Sequence, residues 1–393
     1  MRKMNNIRRG GALVLVIIAM VILFVTGVGL LAVGYGSRLL AIRDTAVIAA
    51  RSAADAGASE AIHKLNKLLK DNPSFSDPPT SLNVTNQMIG SASNNQSVTY
   101  TVTGTWSNYT ITSTGTSNGT TKTVTAYTRA AGLFDPAIYV AEELTMNNND
   151  IVGAAAGTEL IVGTLSTDAG AISGGSGTKI NGNVFSPPGT NPASVIEADV
   201  GVGYQKFAID EPPPMGSNVM PTFIGIDKIL NEEPLSAGVY YYNDLTLEGT
   251  VTITGNVTMY VNDDIIMNNG EGLSINAGAS LTIYINGDMI GKNNTELGLN
   301  NNNVHHPESL KIYGTAQSPD TQTFSLKNNA AICAAIHAPN ANITLMNNAD
   351  VEGSIIAKNL TVKNNMDFVY NASIRNYAKT DPGVYLVIAN WSE

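Results

Sequence analysis

The sequence predicts a mainly β protein that begins with one long α-helix, and three observations carry this prediction. An uncharged apolar stretch near the N-terminus continues into an amphipathic one. From about residue 137 to the end, short β segments alternate with Gly and Asn turns. Asn-Asn recurs behind a strand-like segment in five close variants, TMNNND, IMNNGE, LKNNAA, LMNNAD and VKNNMD. We therefore expect a right-handed parallel β-helix as the outer domain and a small antiparallel sheet packed near the helix.

Composition narrows the class of protein. A chain of 393 residues is long enough for two or three domains. Its charged fraction is 14% and its aromatic fraction 6%, a profile typical of β-rich surface proteins. The net charge of −10 argues against a nucleic-acid partner, because phosphate binding needs clustered Lys and Arg. The sole cysteine, Cys333, excludes an intrachain disulfide, and its apolar surroundings predict a buried thiol.

The N-terminal segment predicts a single membrane span. Residues 11–33 contain no charge, and 23 helical residues at about 1.5 Å each cross a hydrocarbon core of about 30 Å. The leader, residues 1–10, carries four cations and no acid: Arg2, Lys3, Arg8 and Arg9. By the positive-inside rule the N-terminus is cytoplasmic and the rest of the chain is extracytoplasmic.

Residues 34–71 predict an amphipathic extension of the same helix. The apolar positions recur every three or four residues, at Ala54, Ala58, Ile62, Leu65 and Leu69. Charged residues occupy the other side, at Arg51, Asp55, Glu60, Lys64 and Lys67. Two interpretations remain open: the helix packs on its own domain, or it packs against copies of similar helices.

These first 70 residues resemble the N-terminal segment of PilX-type pilus-assembly proteins, relatives of type IV pilins. The likeness is carried by RRGGALVLV and by AADAGASEAIHKL. It implies a processing site around Gly10, Gly11 and Ala12. The family's glutamate five residues into the mature chain is replaced by Leu15 or Val16, which favours a minor component over a fibre-forming major pilin. Four glycines offer small-residue contacts for association with other helices: Gly27, Gly29, Gly34 and Gly36.

Residues 72–96 are polar and interrupted by prolines, so we predict a linker. Residues 97–131 alternate Val, Tyr, Ile and Trp with Thr or Ser, which predicts three antiparallel strands.

Residues 137–380 predict the parallel β-helix, with inserts at 185–238 and 292–308. Asn328, Asn347 and Asn364 are separated by 19 and 17 residues, which is a spacing expected for stacked coils. Asparagine tolerates the left-handed conformation of a tight corner, and its amide can donate to one neighbour and accept from the next. We therefore predict a structural Asn ladder of these three residues. Residues 381–393 predict a terminal strand that caps the open end.

The stretch from about 235 to 375 resembles a β-helical domain of unknown function found attached to PilX-like N-termini. The likeness is carried by SLTIYINGDMI, SLKIYGTA and AIHAPNANITLMNNADVEGSIIAKNLTVKNN. It implies a module displayed on the surface by a pilus or secretion apparatus.

Candidate chemical groups do not converge in the sequence. Asp263 and Asp264 are adjacent, so in a strand they point to opposite faces. His305 and His306 lack a partner at metal-ligand spacing. The remaining candidates predict turn capping or structural hydrogen bonding: Asp288, Asp350, Asp367, His63 and His337. We therefore predict no catalytic, cofactor-binding or metal-binding residue, with calcium at Asn147–Asp150 as an alternative.

Three hypotheses remain open. The leading one is a non-enzymatic, membrane-anchored minor pilin-like component that contacts lipid and other pilus subunits or assembly proteins. The second is an anchored adhesin that binds a surface polysaccharide or another cell-surface ligand. The third is a polysaccharide-active enzyme, which would require three acids, or an Arg with two acids, exposed in one groove of the β-helix.

Overall fold

The computed structural model describes residues 9–89, 95–156, 158–197, 200–202, 206–208, 218–299, 305–317, 321–375, 379–381 and 383–392. The chain forms two compact units. The helix–sheet unit comprises Met1–Arg129 and Leu386–Glu393, and the stack unit comprises Ala130–Tyr385. The prediction of a mainly β chain with one long N-terminal helix and an antiparallel sheet is confirmed.

The helix–sheet unit consists of one helix and a five-stranded sheet in the order β1-β2-β3-β4-β28. The helix, α1, is Arg9–Asp71, and a short 3-10 turn covers Thr80–Leu82. The strands are β1 Val84–Met88, β2 Gln96–Thr105, β3 Asn108–Ser117, β4 Thr120–Ala131 and β28 Tyr385–Ser392. A turn that contains Asn118 and Gly119, both with positive φ, lets β3 return into β4.

Helix α1 divides into two halves of different surface. Its large apolar side chains between Leu13 and Ile42 are all exposed. From Ala46 onward one stripe is buried against β2 and β3: Ala46, Ala50, Ala53, Ala54, Ala58, Ala61, Leu65 and Leu69. No proline interrupts residues 9–71, and the helix ends just before Asn72-Pro73 because a proline ring cannot continue it.

Two predictions for this unit were wrong. Residues 72–96 contain the strand β1, which pairs antiparallel with β2 at Val84↔Tyr100. Its sequence, VTNQM, buries no side chain fully and so lacks an apolar signature. The terminal residues do not cap the parallel stack; β28 joins the antiparallel sheet beside β4.

Among the described residues, the stack unit contains 23 strands in one continuous sheet. Its first segment contains β5 Ile138–Val140, β6 Leu144–Asn148, β7 Ile151–Ala154, β8 Ile161–Thr164, β9 Ile172–Gly174, β10 Lys179–Ile180, β11 Asn183–Ser186, the helical turn α2 Pro192–Val195, β12 Gly201–Val202 and β13 Lys206–Ala208.

Its second segment contains β14 Ile226–Leu230, β15 Gly238–Leu247, β16 Thr250–Ile253, β17 Asn256–Val261, β18 Ile265–Met267, β19 Gly272–Ile275, β20 Ser280–Ile285, β21 Met289–Gly291, β22 Glu296–Leu299, β23 Leu310–Gly314, β24 Gln322–Leu326, β25 Ala331–Leu345, β26 Asp350–Asn364 and β27 Asp367–Tyr370, with 3-10 turns at Pro307–Ser309 and Ala372–Arg375.

Strands of the stack pair in parallel with the strand one coil further along. For example, β17 pairs with β20 from Asn256↔Ser280 to Val261↔Ile285. Equivalent side chains therefore stack in columns, and the inward columns are aliphatic. One such column runs through Ile343, Leu360, Leu144 and Ile172. Parallel strands buried on their inner side need apolar residues at every inward position, which explains the near-absence of inward charge.

The two segments join out of sequence order. β5, β6 and β7 stack on β26 and β27, with Ile355↔Ile138, Leu360↔Leu144 and Asp367↔Ile151. We call this junction the seam. The chain thus winds from 137 to 208 on one side of the seam and from 226 to 370 on the other.

The predicted inserts are smaller than expected. Residues 185–238 contain β12, β13 and β14, and residues 292–308 contain β22, which pairs with β19 and β25. These strands have two to five residues, too few to display a periodic apolar pattern.

Candidate functional site

The buried half of α1 meets the sheet through glycines. A Cβ atom on Gly57 would lie 2.3 Å from Val98 Cγ2 and 2.5 Å from Ser113 Oγ. A Cβ atom on Gly115 of β3 would lie 2.1 Å from the carbonyl oxygen of Ala50. The small-residue stretch around Gly57 is therefore used for close helix–sheet packing.

Polar side chains complete this contact. Asp55 pairs with Arg51 at 3.1 Å and Glu60 with Lys64 at 2.7 Å, both one helical turn apart. The hydrogen bond to Glu60, together with that to the Tyr100 hydroxyl, raises the pKa of Lys64.

The amide of Asn66 fastens the last strand to the helix. Its Nδ2 donates to Leu386 O at 3.0 Å, and its Oδ1 accepts from Leu386 N at 2.7 Å. This pair of bonds imitates a β-bridge, so it extends the sheet's hydrogen bonding onto α1.

The predicted Asn ladder residues lie in one column. Asn347 Nδ2 donates to Asn328 Oδ1 at 3.1 Å, and Asn364 Nδ2 donates to Asn347 Oδ1 at 2.8 Å. The column is longer than the three predicted members. It continues to Asn293 and Asn269 in one direction and crosses the seam to Asn148 in the other, at 3.2, 3.5 and 3.4 Å.

A second ladder runs beside the first, and the sequence analysis did not predict it. Its members donate to one another at 3.0–3.3 Å: Asn294, Asn329, Asn348, Asn365 and Asn149. All five have φ between 57° and 60°, the left-handed region. The first Asn of each pair supplies amide stacking, and the second supplies both amide stacking and the corner conformation.

Residues Asn147–Asp150, the alternative calcium site, are incorporated in this corner. Asn148 and Asn149 belong to the two ladders, and Asn147 O accepts a hydrogen bond from Thr178 Oγ1. Asp150 is fully buried, and its Oδ1 accepts from Met366 N at 2.9 Å across the seam. Burial raises the pKa of Asp150 against the opposing effect of the backbone N–H groups of Met366 and Asn147.

Asp264 and Asp288 cap backbone groups of neighbouring coils. Asp264 Oδ1 accepts from Asp288 N at 2.8 Å, and Asp288 Oδ1 accepts from Thr323 N at 2.7 Å. Asp244 does the same for Asp264 N at 3.1 Å. Asp263 is exposed, so the structure does not bring Asp263 and Asp264 together as a pair of acids on one face.

The arrangement closest to a chemical site is a groove beside the turn at residues 305–309. We call it the acidic groove. A cavity of about 390 Å³ there is lined by Asp350, Glu352 and Asp367 together with His305. His305 Nδ1 lies 2.8 Å from Glu352 Oε2, and Glu352 Oε1 accepts from Asn371 Nδ2 at 2.8 Å. Asp350 and Asp367 are register partners on adjacent strands, so their backbones lie about 4.8 Å apart.

His306 faces a different cavity, so the two histidines do not converge. Its Nδ1 lies 3.0 Å from Glu308 Oε1, while Glu308 Oε2 accepts from Ser373 Oγ at 2.6 Å. Cys333 is fully buried nearby, and burial raises its pKa to about 12, assisted by the negative charge of Glu352. A thiol in that environment stays protonated at neutral pH and is a poor nucleophile.

The other two histidines lie apart from this groove. His63 is exposed on α1. His337 is buried, its ring edge-on to Phe134 with centroids 6.4 Å apart and its Nδ1 3.0 Å from Asn218 Nδ2. In the described part of the chain, no group of three or more His, Cys, Asp or Glu side chains has a geometry that could hold a metal ion.

The predicted processing residues Gly10, Gly11 and Ala12 lie in the first turn of α1. Leader residues 1–8 lie outside the described residues. Within the described chain, α1 is the helix long and apolar enough to cross a membrane, with a mean hydropathy of 3.0 in its most apolar window.

The fold and these sites define a mainly β protein with one long, partly exposed N-terminal helix. A family model described as a domain of unknown function, DUF7305, matches residues 215–377, less than half of the chain. No curated protein matches the sequence. Among solved structures, the competence-associated pilin ComZ from Thermus thermophilus is similar over 88% of this chain and 98% of its own, with 11% identity and a TM-score of 0.31. A TM-score this low carries no argument about this chain.

Proposed function

We propose that this protein is a non-enzymatic, membrane-anchored, PilX-like minor pilin-like component that takes part in pilus assembly and displays the stack unit outside the cell. The observation that carries the proposal is the division of α1. One continuous helix exposes an apolar half and packs its other half, rich in Ala and Gly, on an antiparallel sheet.

The exposed half has the length and composition that a bilayer requires. Exposing a long row of Leu, Ile, Val and Phe side chains to water is unfavourable, whereas lipid solvates the same side chains favourably. Gly27, Gly29, Gly34 and Gly36 have open space beside them: apart from the adjoining residues and the nearby backbone of the helix itself, no atom of the described chain lies within 4 Å of an added Cβ. Helices of other subunits could approach closely there.

Membrane insertion is tested by adding charge to the helix. We expect the full chain to resist extraction from membranes by alkaline carbonate. The double substitution Leu23→Arg with Phe24→Asp should shift it to the soluble or degraded fraction, because each charge at mid-bilayer costs about 3 kcal/mol. Lys122→Asp, on the exposed surface of β4, is the matched control. Equal extraction of all three forms would contradict the proposal.

The orientation is tested with cysteine labelling by a membrane-impermeant maleimide. In a Cys333→Ala background, the single substitutions Lys122→Cys and Asn276→Cys, both at exposed positions, should react in intact cells. Asn5→Cys, assayed on the precursor before its leader is cleaved, should react only after lysis. The reverse pattern would contradict a cytoplasmic N-terminus.

Pilus association is tested by two measurements on the native protein. Mass analysis of the mature N-terminus should show cleavage after Gly10 or Gly11. Crosslinking followed by affinity capture should recover pilin subunits or assembly proteins. An intact Met1 together with a capture that contains no filament component would contradict the proposal.

We also infer that the stack winds as a right-handed β-helix. Parallel strands connected by crossovers within one sheet are right-handed in nearly all proteins. An experimental map of the stack unit would test the hand directly, and left-handed coils would refute it.

A second candidate function is favoured by the acidic groove. Three carboxylates and one imidazole line a single cavity, and two of the carboxylates belong to register partners. A polysaccharide-cleaving enzyme needs two acids about 5–10 Å apart on either side of the scissile bond. Release of reducing ends from neutral and acidic polysaccharides, lost in both Asp350→Asn and Asp367→Asn but retained in Asp263→Asn, would support this candidate. Absence of any release by the full chain would rule it out.

A further inference from the structure

Residues 218–225 form a strap whose two ends contact the stack and whose middle is largely exposed. At the first end, Asn218 Nδ2 donates to the carbonyl oxygens of Gly314 and His337 at 3.0 Å each. At the second end, the Phe223 ring lies 5.1 Å from the Tyr241 ring, and Gly225 lies against the backbone of residue 242. We call the intervening residues 219–222 the arch.

The arch and Phe223 line a cavity of about 440 Å³ on the side of the strap. Its other lining residues are uncharged: Asn262, Asn286 and Thr315 on successive coils, which we call the floor, and Gln317. The Thr315 side chain is buried and donates to Ile285 O, and the Gln317 amide donates to Asn218 O and Thr315 O, so the open amides of this lining are those of Asn262 and Asn286. No Asp, Glu, Lys, Arg or His is among these lining residues. The volume falls within the range of small-molecule and oligomer sites.

The floor asparagines differ from those of the two ladders. In the ladders each amide hydrogen-bonds to the next at 2.8–3.5 Å. Asn262 and Asn286 occupy equivalent rung positions, yet in the described structure neither side chain has a hydrogen-bond partner and both are exposed to the cavity. Two unengaged amides therefore present donors and acceptors in a row at the rung spacing of about 4.8 Å.

The chemistry of the ligand follows from the hydrogen-bonding groups of the floor and from its lack of charge. A floor without charge offers no ion pair to an anionic or cationic ligand. A peptide strand would need a sheet edge, but the backbone N–H groups of Asn262, Asn286 and Thr315 already donate to residues 242, 261 and 285. A sugar chain needs neither a charged partner nor a sheet edge, because its hydroxyl groups hydrogen-bond to amides and its ring faces pack on an aromatic side chain.

The neighbouring tyrosines do not supply that aromatic surface. Tyr241, Tyr260, Tyr284 and Tyr313 stack with ring centroids 5.0–5.4 Å apart, so their faces cover one another. Phe223 closes the end of this column and borders the cavity at the same time.

We propose that the arch is a binding site for an uncharged oligosaccharide of two to three sugar units. The floor from Asn262 to Thr315 spans two rung spacings, about 10 Å, which sets the length of the bound chain. The inference is independent of membrane anchoring and of the acidic groove.

The test is isothermal titration calorimetry on the full chain in a detergent without a sugar headgroup. The probes are cellotriose and chitotriose, both neutral, and trigalacturonate, which has similar size and carries three carboxylates. We expect at least one neutral trisaccharide to bind with a Kd of about 0.1–1 mM, more tightly than its monosaccharide. Trigalacturonate should bind at least about tenfold more weakly.

Variants decide whether binding occurs under the arch. Asn262→Ala and Asn286→Ala should each raise the Kd about fivefold, the effect of one lost hydrogen bond. Asn276→Ala is the matched control, because it removes an exposed asparagine at another turn of the stack. Near-UV circular dichroism of the stacked tyrosines verifies that each variant is folded. The proposal is overturned if neither trisaccharide binds below about 10 mM, if the floor variants bind as the control does, or if trigalacturonate binds equally well.

Discussion

Replacing Gly115 by alanine should loosen the packing of α1 on the sheet. The added Cβ would lie 2.1 Å from Ala50 O, 2.5 Å from Ala54 N and 2.8 Å from Ala53 Cβ. Two of these atoms belong to the helix backbone, so no side-chain rotation can relieve the overlap. Overpacked cores lose about 1–3 kcal/mol, and we expect about 3 kcal/mol here because the helix must move as a rigid body.

Tryptophan fluorescence measures this loss selectively. The chain has two tryptophans, Trp106 and Trp391, and both belong to the helix–sheet unit. With a urea m-value of about 1–3 kcal/mol/M, the unfolding midpoint of Gly115→Ala should fall by roughly 1–3 M. The tyrosine circular dichroism of the stack unit should keep its own midpoint.

Substitutions at two further glycines should destabilise the protein less than Gly115→Ala does. Gly57→Ala should cost less than Gly115→Ala, because its new Cβ meets the ends of the Val98 and Ser113 side chains instead of backbone. Gly153→Ala is the control, since its nearest neighbour beyond the adjoining residues is Phe368 O at 3.9 Å. If the Gly115→Ala midpoint equals that of wild type, the close helix–strand contact described above does not exist.

Three other perturbations test the stack unit. Asn348→Ala should lower the free energy of unfolding of the stack unit by about 2–3 kcal/mol, and Asn347→Ala should lower it by about 1–2 kcal/mol. The losses differ because only residue 348 must also hold a positive φ. Tyrosine circular dichroism in urea measures both, and equal losses would contradict this reasoning. Burial raises the pKa of Asp150, so its contribution to stability is present at low pH and is lost as the pH rises through the folded-state value. Asp150→Asn should therefore gain stability relative to wild type as the pH rises above about 4, and a pH-independent difference would refute the assignment. The Cys333 thiol, with its pKa raised to about 12, should not react with Ellman's reagent at about pH 8 until urea unfolds the stack, whereas rapid reaction of the native chain would contradict its burial.

The sequence predicted those features that depend on local chemistry. Asparagine marks the ladder because a corner residue needs a left-handed backbone and an amide at once, and few side chains provide both. The apolar stripe along residues 34–71 predicted that one face of the helix is packed, although it could not show that the partner is β3. Between its two interpretations of this stripe, packing on its own unit accounts for the buried residues that the structure describes.

What the sequence could not predict depends on contacts between distant residues. The ladder spacing is 24, 35, 19 and 17 residues from Asn269 to Asn364, so only the last two intervals looked like a repeat. The acidic groove combines a turn at residue 305 with two strands that begin more than 40 residues later. No local sequence pattern therefore predicts it. The strap crosses several coils, so its floor becomes a row only after the coils stack.

The seam shows why the stack needs its polar corners as much as its apolar core. Joining residues 138–154 to residues 350–370 closes a loop of more than 200 residues, whose entropic cost grows with the logarithm of its length. Apolar columns alone would tolerate a slip of one coil, since aliphatic residues stack on aliphatic residues at every rung. The ladder bonds of Asn148 and Asn149, the bond from Met366 N to Asp150, and the bond from Ser354 Oγ to Pro136 O are satisfied in one register only. A slipped register would leave the buried groups Asp150, Met366 N and Ser354 Oγ without partners at about 1–3 kcal/mol each, so polar groups set the register that the hydrophobic core stabilises.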